Sequence, residues 1–200
     1  MKTGFFLTAL TFCLHFVSSA SLFAQLPLPP CGTITRNTML QSDCFGPLIV
    51  AASNITVDLN GFMVRGEGGN EPQGAIEVVN QTGVKIKNGT ITGSTLRCIH
   101  IDGGRLNQVT NMVLFVPTQG RGIGLYRSNE NVFKNIRIIS DGDAVFGISI
   151  SHGNRNKIDR VTTEGLIGMG FAVGGNENQI IRSEVKESQG SYGAVVSWGD

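Results

Sequence analysis

Six residues with side chains suited to ligand binding or proton transfer recur at regular intervals along the sequence. Glu77 precedes His100 by 23 residues, Asp102 precedes Tyr126 by 24, and Arg127 precedes His152 by 25. Carboxylates, imidazoles, a phenol and a guanidinium can bind a sugar acid or move a proton. A fold that stacks them on one face would therefore make them ligand-binding candidates. The alternative is that they form an ordinary solvated face, where polar residues also collect.

The element that must position them is a five-residue pattern, typified by Gly147-Ile148-Ser149-Ile150-Ser151. Its copies read small, apolar, variable, apolar, variable, which is the period-two signature of a strand with one buried face. A fixed period of this size predicts a solenoid with coils of about 23 residues. The second residues of the copies are separated by 23, 24, 25, 23 and 23 positions: Ile76, Ile99, Ile123, Ile148, Phe171 and Ala194.

Each repeat carries two further strand signals and two polar corners. Asparagine tolerates left-handed backbone and bonds to nearby main chain, so stacked asparagines predict a turn that is repeated coil after coil. Three strands and three corners per repeat predict an all-β, three-sided coil with parallel pairing. The second strand is marked by Ile86, Val109, Phe133, Ile158 and Ile180, the third by pairs such as Ile136/Ile138, and the corners by Asn107, Asn131, Asn156 and Asn178 and by Asn88, Asn111, Asn135, Arg160 and Arg182.

The repeat resembles the right-handed parallel β-helix proteins of the pectate-lyase-like superfamily. The resemblance is carried by Ile55-Thr56-Val57-Asp58-Leu59-Asn60-Gly61 and by Val84-Lys85-Ile86-Lys87-Asn88-Gly89-Thr90-Ile91, and it covers roughly residues 46 to 200. It implies a right-handed coil, in line with the general preference for right-handed parallel crossovers. Polysaccharide lyases, hydrolases, epimerases, adhesins and accessory proteins share these repeats, so the fold does not fix the activity.

The N-terminus is typical of a secretory signal peptide, with Lys2, an apolar run from Phe5 to Val17 and small residues after it. The run is too short for a membrane span, and no later segment qualifies. We therefore expect a secreted or periplasmic protein, cleaved after Ala20 or Ala24. The predicted organisation is a signal peptide at 1–24, a linker and N-terminal cap at 25–45, and a parallel β-helix domain at 46–200.

Three cysteines remain after the leader is removed, and export makes a disulfide possible. Cys31 and Cys44 lie close together before the repeats begin, where a bond would staple the end of the stack. Cys98 occupies the small-residue column that contains Gly122 and Gly147. We therefore predict a Cys31–Cys44 disulfide and a free, buried Cys98.

The net charge and the small number of metal-ligating side chains limit which partners and cofactors the protein can bind. Without Lys2 the formal charge is 16 − 1 − 15 = 0, which argues against nucleic-acid binding. Only His100 and His152 remain outside the leader, so no zinc or copper centre is predicted. Asp141 and Asp143 could take calcium through oxygen ligands, but two carboxylates make an incomplete site and a solvated turn explains them more simply. No cofactor is predicted, with calcium as the alternative.

Two short motifs resemble signatures of particular β-helix enzymes without completing them. Ser151-His152-Gly153 is similar to the Gly-His-Gly of polygalacturonase-type hydrolases but lacks the first glycine. Tyr192-Gly193 is similar to the start of alginate-epimerase signatures, but the acidic residues that should follow are absent. The predicted function is therefore an exported scaffold that binds an extracellular glycan or a cell-surface partner without catalysis. The alternative is a polysaccharide-active enzyme, a lyase before a hydrolase or epimerase.

Two expectations concern where such a protein would make contacts. Ala172, Gly174 and Gly175 replace the larger groups of earlier coils, which predicts a site in the middle of the stack. The sequence stops at Asp200, one strand into a repeat, so we expect either that the stack is truncated or that its open strand edge associates end-to-end with another chain.

Overall fold

A computed structural model describes residues 29–66, 73–92, 96–117, 119–140 and 144–187 and the backbone of 197–198. The predicted signal peptide, Asp141, Asp143 and Ala194 lie outside these residues. The described chain contains strands but no helix, and hence no helix that could span a membrane. The strands are β1 (Pro30–Ile34), β2 (Thr38–Met39), β3 (Cys44–Val50), β4 (Thr56–Asp58), β5 (Met63–Arg65), β6 (Ile76–Val79), β7 (Lys85–Thr92), β8 (Arg97–Asp102), β9 (Gln108–Val116), β10 (Arg121–Tyr126), β11 (Val132–Ser140), β12 (Phe146–Ser151), β13 (Lys157–Glu164), β14 (Met169–Gly174), β15 (Gln179–Ile181), β16 (Glu184–Lys186) and β17 (Ser197–Trp198).

One side of the molecule, here called the leading sheet, stacks β6, β8, β10, β12 and β14 in parallel and in register. The second half of β3 extends it at one end, where Leu48 pairs with Ile76. The stacked inward residues form the predicted column, and all five are buried: Ile76, Ile99, Ile123, Ile148 and Phe171. The column is therefore confirmed over the described coils.

The other two sides come from long strands that bend in the middle. β7, β9, β11 and β13 each contain one residue with positive φ, between 54° and 60°, and these are the predicted corner residues Asn88, Asn111, Asn135 and Arg160. The halves before the bend stack Ile86, Val109, Phe133 and Ile158, and we call this the second side. The halves after it form the third side. The result is a three-sided parallel β-helix of about five turns, as predicted.

A ladder of buried asparagines holds the corner between the leading sheet and the second side. The Asn131 Oδ1 accepts the backbone N–H of Asn107 at 2.9 Å, and the Asn156 Oδ1 accepts that of Asn131 at 3.0 Å. Asn107 and Asn178 extend the pattern to the coils on either side. Because a buried main-chain N–H is costly without a partner, each side-chain oxygen holds the preceding coil in register.

Both cysteine predictions are confirmed. Cys31 of β1 is bonded to Cys44 of β3, which ties the first strand to the stack. Cys98 is free and fully buried, and desolvation raises the pKa of its thiol to about 12.

Candidate functional site

The six candidate residues lie on or beside the outward face of the leading sheet. Glu77 of β6 pairs in register with His100 of β8, and Asp102 of β8 pairs with Tyr126 of β10. Arg127 and His152 directly follow β10 and β12. Adjacent coils lie about 4.8 Å apart, so the repeat brings residues from four coils together as expected.

Four of these residues form what we call the charged end of the face: Glu77, His100, Asp102 and Arg127. The His100 Nδ1 lies 3.3 Å from the Glu77 Oε1, and the two side chains are only 7% and 13% exposed. The Arg127 Nη2 donates to both Asp102 carboxylate oxygens, at 3.3 and 3.4 Å. Each carboxylate of this end therefore already has a partner within the protein.

Tyr126 is the last residue of β10, in the middle coil of the face, and is 42% exposed. The Arg127 guanidinium lies 4.5 Å from the centroid of its ring, and the His152 ring meets it edge-on at 5.7 Å. The His152 Nδ1 is in turn 2.9 Å from the Ser151 Oγ. The spacing of one repeat predicts that Arg127 lies near His152. In the structure the Arg127 side chain turns back toward Asp102, and the Arg127 and His152 side chains both contact the Tyr126 ring.

Two adjoining cavities follow this face along the helix axis and together form what we call the groove. The smaller, of about 390 Å³, lies beside His100, Asp102 and Tyr126. The larger, of about 640 Å³, lies over β12 and β14. The two cavities adjoin and share three lining residues: Arg121, Ser149 and Ser151.

The larger cavity opens because outward side chains become smaller along the stack. In the central outward column, Glu77 and His100 are followed by Gly124, Ser149 and Ala172. Small residues in β12 and β14 leave the floor of the groove free. Any site built on it extends further than expected, because the groove continues to Ala172, Gly174 and Gly175.

The walls of the larger cavity differ in chemistry, and we call this part of the groove the open end. Phe146 and Met169, at the starts of β12 and β14, form an apolar wall. His152, Asn154 and Asn176, after the ends of those strands, form a hydrogen-bonding wall. None of the described residues that line the larger cavity carries a carboxylate.

Arg97, Arg121 and Phe146 also border the groove, although none of them is among the six candidates predicted from the sequence. The Arg97 Nη1 donates to the Gln73 Oε1 at 2.6 Å, and its side chain fills the space that a Cβ on Gly124 would need. The Arg121 guanidinium lies 4.9 Å from the centroid of the Phe146 ring. Their spacing is a usable signal, since they hold equivalent positions in β8, β10 and β12. They are not among the six candidates because they lie outside the alternating five-residue pattern.

The described residues contain no cluster of three or more histidine, cysteine or acidic side chains that could hold a metal ion. Asp141 and Asp143, the calcium alternative, lie outside the part of the chain that the structure describes. A calcium site there remains a hypothesis from the sequence.

Comparison with known proteins supports the fold. No family model and no curated protein matches the sequence. Among solved structures, the chain is similar to the catalytic domain of a GH87 alpha-1,3-glucanase, determined as an aspartate-to-alanine variant in complex with tetrasaccharides. The identity is 19% and the TM-score 0.50, and the match covers 78% of this chain. This chain spans only 34% of the glucanase chain, so the likeness concerns the β-helix alone.

Proposed function

We propose that the protein is an exported β-helix that binds an extracellular glycan along the groove without cleaving it. The observation that carries this proposal is the open end, a cavity of about 640 Å³ with one apolar wall and one hydrogen-bonding wall. A pyranose ring has apolar faces and a rim of hydroxyls, so it suits a site that offers both surfaces. The glycan could be a free polysaccharide or one displayed on a cell surface.

The positions of the carboxylates favour binding over hydrolysis. Most glycoside hydrolases need two carboxyl groups that flank the scissile bond, one as acid and one as base or nucleophile. The carboxylates described on this face, Glu77 and Asp102, belong to the charged end and are held by His100 and Arg127. A sugar over β12 and β14 would therefore meet hydroxyl, amide, imidazole and aromatic groups.

Two further observations support export of the protein and a glycan as its ligand. The Cys31–Cys44 disulfide is consistent with export to an oxidising compartment. The similar β-helix of the glucanase domain was solved with tetrasaccharides, which supports a glycan as the ligand class.

A screen of the secreted protein against acidic and neutral polysaccharides tests the proposal, with bound protein and new chain ends measured in the same wells. We expect retention on at least one polysaccharide without release of reducing or unsaturated ends. Each of three single substitutions should weaken binding in part without abolishing it: His100→Ala, Tyr126→Phe and Arg127→Ala. Absence of binding across the panel would overturn the proposal, and product release would replace it with an enzyme.

A polysaccharide lyase is the second candidate, and the cluster around Tyr126 favours it. A phenol, the imidazole of His152 and the guanidinium of Arg127 lie together, and β-elimination needs a proton carrier beside a cation that holds the sugar carboxylate. A lyase should produce unsaturated chain ends, and Tyr126→Phe or His152→Ala should each reduce turnover by about 100-fold or more. A binding protein has no turnover to lose.

A further inference from the structure

We propose that the bound glycan carries a negatively charged group and that this group binds between Arg97 and Arg121, where the two cavities meet. The inference rests on the proposed glycan-binding function and specifies its ligand as an acidic glycan, with a carboxylate or a sulfate. Neither arginine is one of the six candidate residues predicted from the sequence.

The first observation is that the two arginines are direct neighbours. Arg97 of β8 and Arg121 of β10 are partners in the parallel register, on strands about 4.8 Å apart. Both side chains border the smaller cavity, so an anion bound there would lie beside two guanidinium groups.

The second observation concerns the groups around them. Arg97 donates to the neutral amide of Gln73, and Arg121 lies over the Phe146 ring. Asp102 is the one carboxylate among the described residues that line the smaller cavity, and it accepts hydrogen bonds from Arg127. The described carboxylate of the cavity lining is therefore not paired with Arg121.

The third observation is that the Arg97 side chain has a fixed place. Its Nε and Cδ lie where a side chain on Gly124 would be, so the missing Cβ of Gly124 makes room for the arginine. A guanidinium held in this way loses little conformational freedom on binding, and its planar fork matches a carboxylate or sulfate. The charged sugar would lie at the junction, and neutral sugars would continue over Phe146 and Met169.

Calorimetry on the full chain tests this inference with matched tetrasaccharides of α-1,3-, β-1,3- and β-1,4-linked glucose. Each is used in three forms: neutral, with its primary alcohols oxidised to carboxylates, and with sulfate groups. We expect one acidic form to bind about tenfold more tightly than its neutral counterpart at low salt. This advantage should shrink as salt is raised, because exposed charges are screened.

Three variants assign the effect to the arginines. Arg121→Gln and Arg97→Gln should each remove most of the acidic advantage and leave the affinity for the neutral form within about twofold. Arg137→Gln is the control, because it removes one positive charge from the third side and should change neither affinity. A melting temperature for each variant confirms that the fold is intact.

The outcomes separate this inference from the proposed function. Equal affinity for neutral and acidic forms would overturn the anion site and leave glycan binding standing. An acidic advantage that survives in the Arg97→Gln/Arg121→Gln double variant would also overturn it. Failure of every form to bind, together with a negative polysaccharide screen, would overturn both.

Discussion

The charged end and the open end of the leading sheet share one backbone and differ in their outward side chains. Inward, isoleucines or phenylalanine fill the same buried column at both ends. Outward, Glu77 and His100 occupy the central column at one end, and Ser149 and Ala172 occupy it at the other. The stacking of the coils thus sets where a site can lie. The size and charge of the outward residues set which ligand that site can bind.

The two ends also differ in whether a ligand would compete with carboxylate pairs of the protein. At the charged end, Glu77 and Asp102 have partners within the protein, so a ligand would have to compete for them. At the open end, Asn176 and His152 border an open cavity. We therefore expect the open end to supply most of the affinity and the charged end to orient the ligand.

The largest expected effect comes from changing the shared inner column. Ile148→Asp would place an unpaired charge between two coils, at a cost of roughly 5 kcal/mol or more, and should abolish soluble folded protein. Its neighbour supplies the control: Ser149→Asp adds the same side chain to the outward face and should fold. Soluble yield and circular dichroism measure both. A folded Ile148→Asp protein would contradict the conclusion that both ends depend on the same buried column.

Filling the open end should have the next largest effect. Ala172→Trp places an indole on the floor of the groove and should weaken glycan binding by about tenfold or more, since the ligand loses its space. Thr110→Trp, on the outward face of the second side, is the control for adding a large ring. Binding is measured on the polysaccharide that the screen identifies. Unchanged affinity in Ala172→Trp would move the site away from the open end.

Changing the charged end should affect stability more than affinity. Glu77→Gln weakens the contact with the largely buried His100 and should lower the free energy of unfolding by about 1–2 kcal/mol. Glu164→Gln serves for comparison, because its partner Arg137 is exposed and such surface pairs contribute only about 0–1 kcal/mol. Urea unfolding and glycan affinity are measured together. A larger loss of affinity than of stability would make Glu77 part of the ligand site.

The smallest effect should come from a carboxylate that belongs to neither end. Burial pushes the pKa of Asp58 up, but hydrogen bonds from the Asn60 N–H, Lys87 and Asn88 outweigh it and hold the pKa below the ordinary value of 3.8. A depressed pKa stabilises the fold above the unfolded-state pKa, and this stabilisation is lost as the pH falls through the folded-state pKa. Asp58→Asn should therefore melt earlier than the parent at pH 7.

The difference between Asp58→Asn and the parent should shrink in acid. Melting temperatures at pH 7 and at about pH 3 measure it. Glycan binding at pH 7 should be unchanged, because Asp58 lies on the second side. A difference that grows in acid would contradict the assigned direction.

Much of this architecture could be predicted, because strand alternation and a fixed period are local properties of a sequence. Ile148 has to point inward because apolar and variable residues alternate along its strand. Asn131 lies at a corner, where its side-chain oxygen accepts the main-chain N–H of Asn107 in the preceding coil. The Cys31–Cys44 bond followed from two cysteines placed before the register begins. The candidate face followed as well, since residues one period apart stack.

The sequence by itself thus determined the coil, the buried columns, the corners and the face that carries the candidate residues. The tertiary structure alone decided that Arg127 turns to Asp102 rather than His152, that Arg97 lies over Gly124, and that the groove continues to Ala172. The physical reason is that periodicity fixes which residues are neighbours. The reach and volume of each side chain decide which neighbours touch and where space is left.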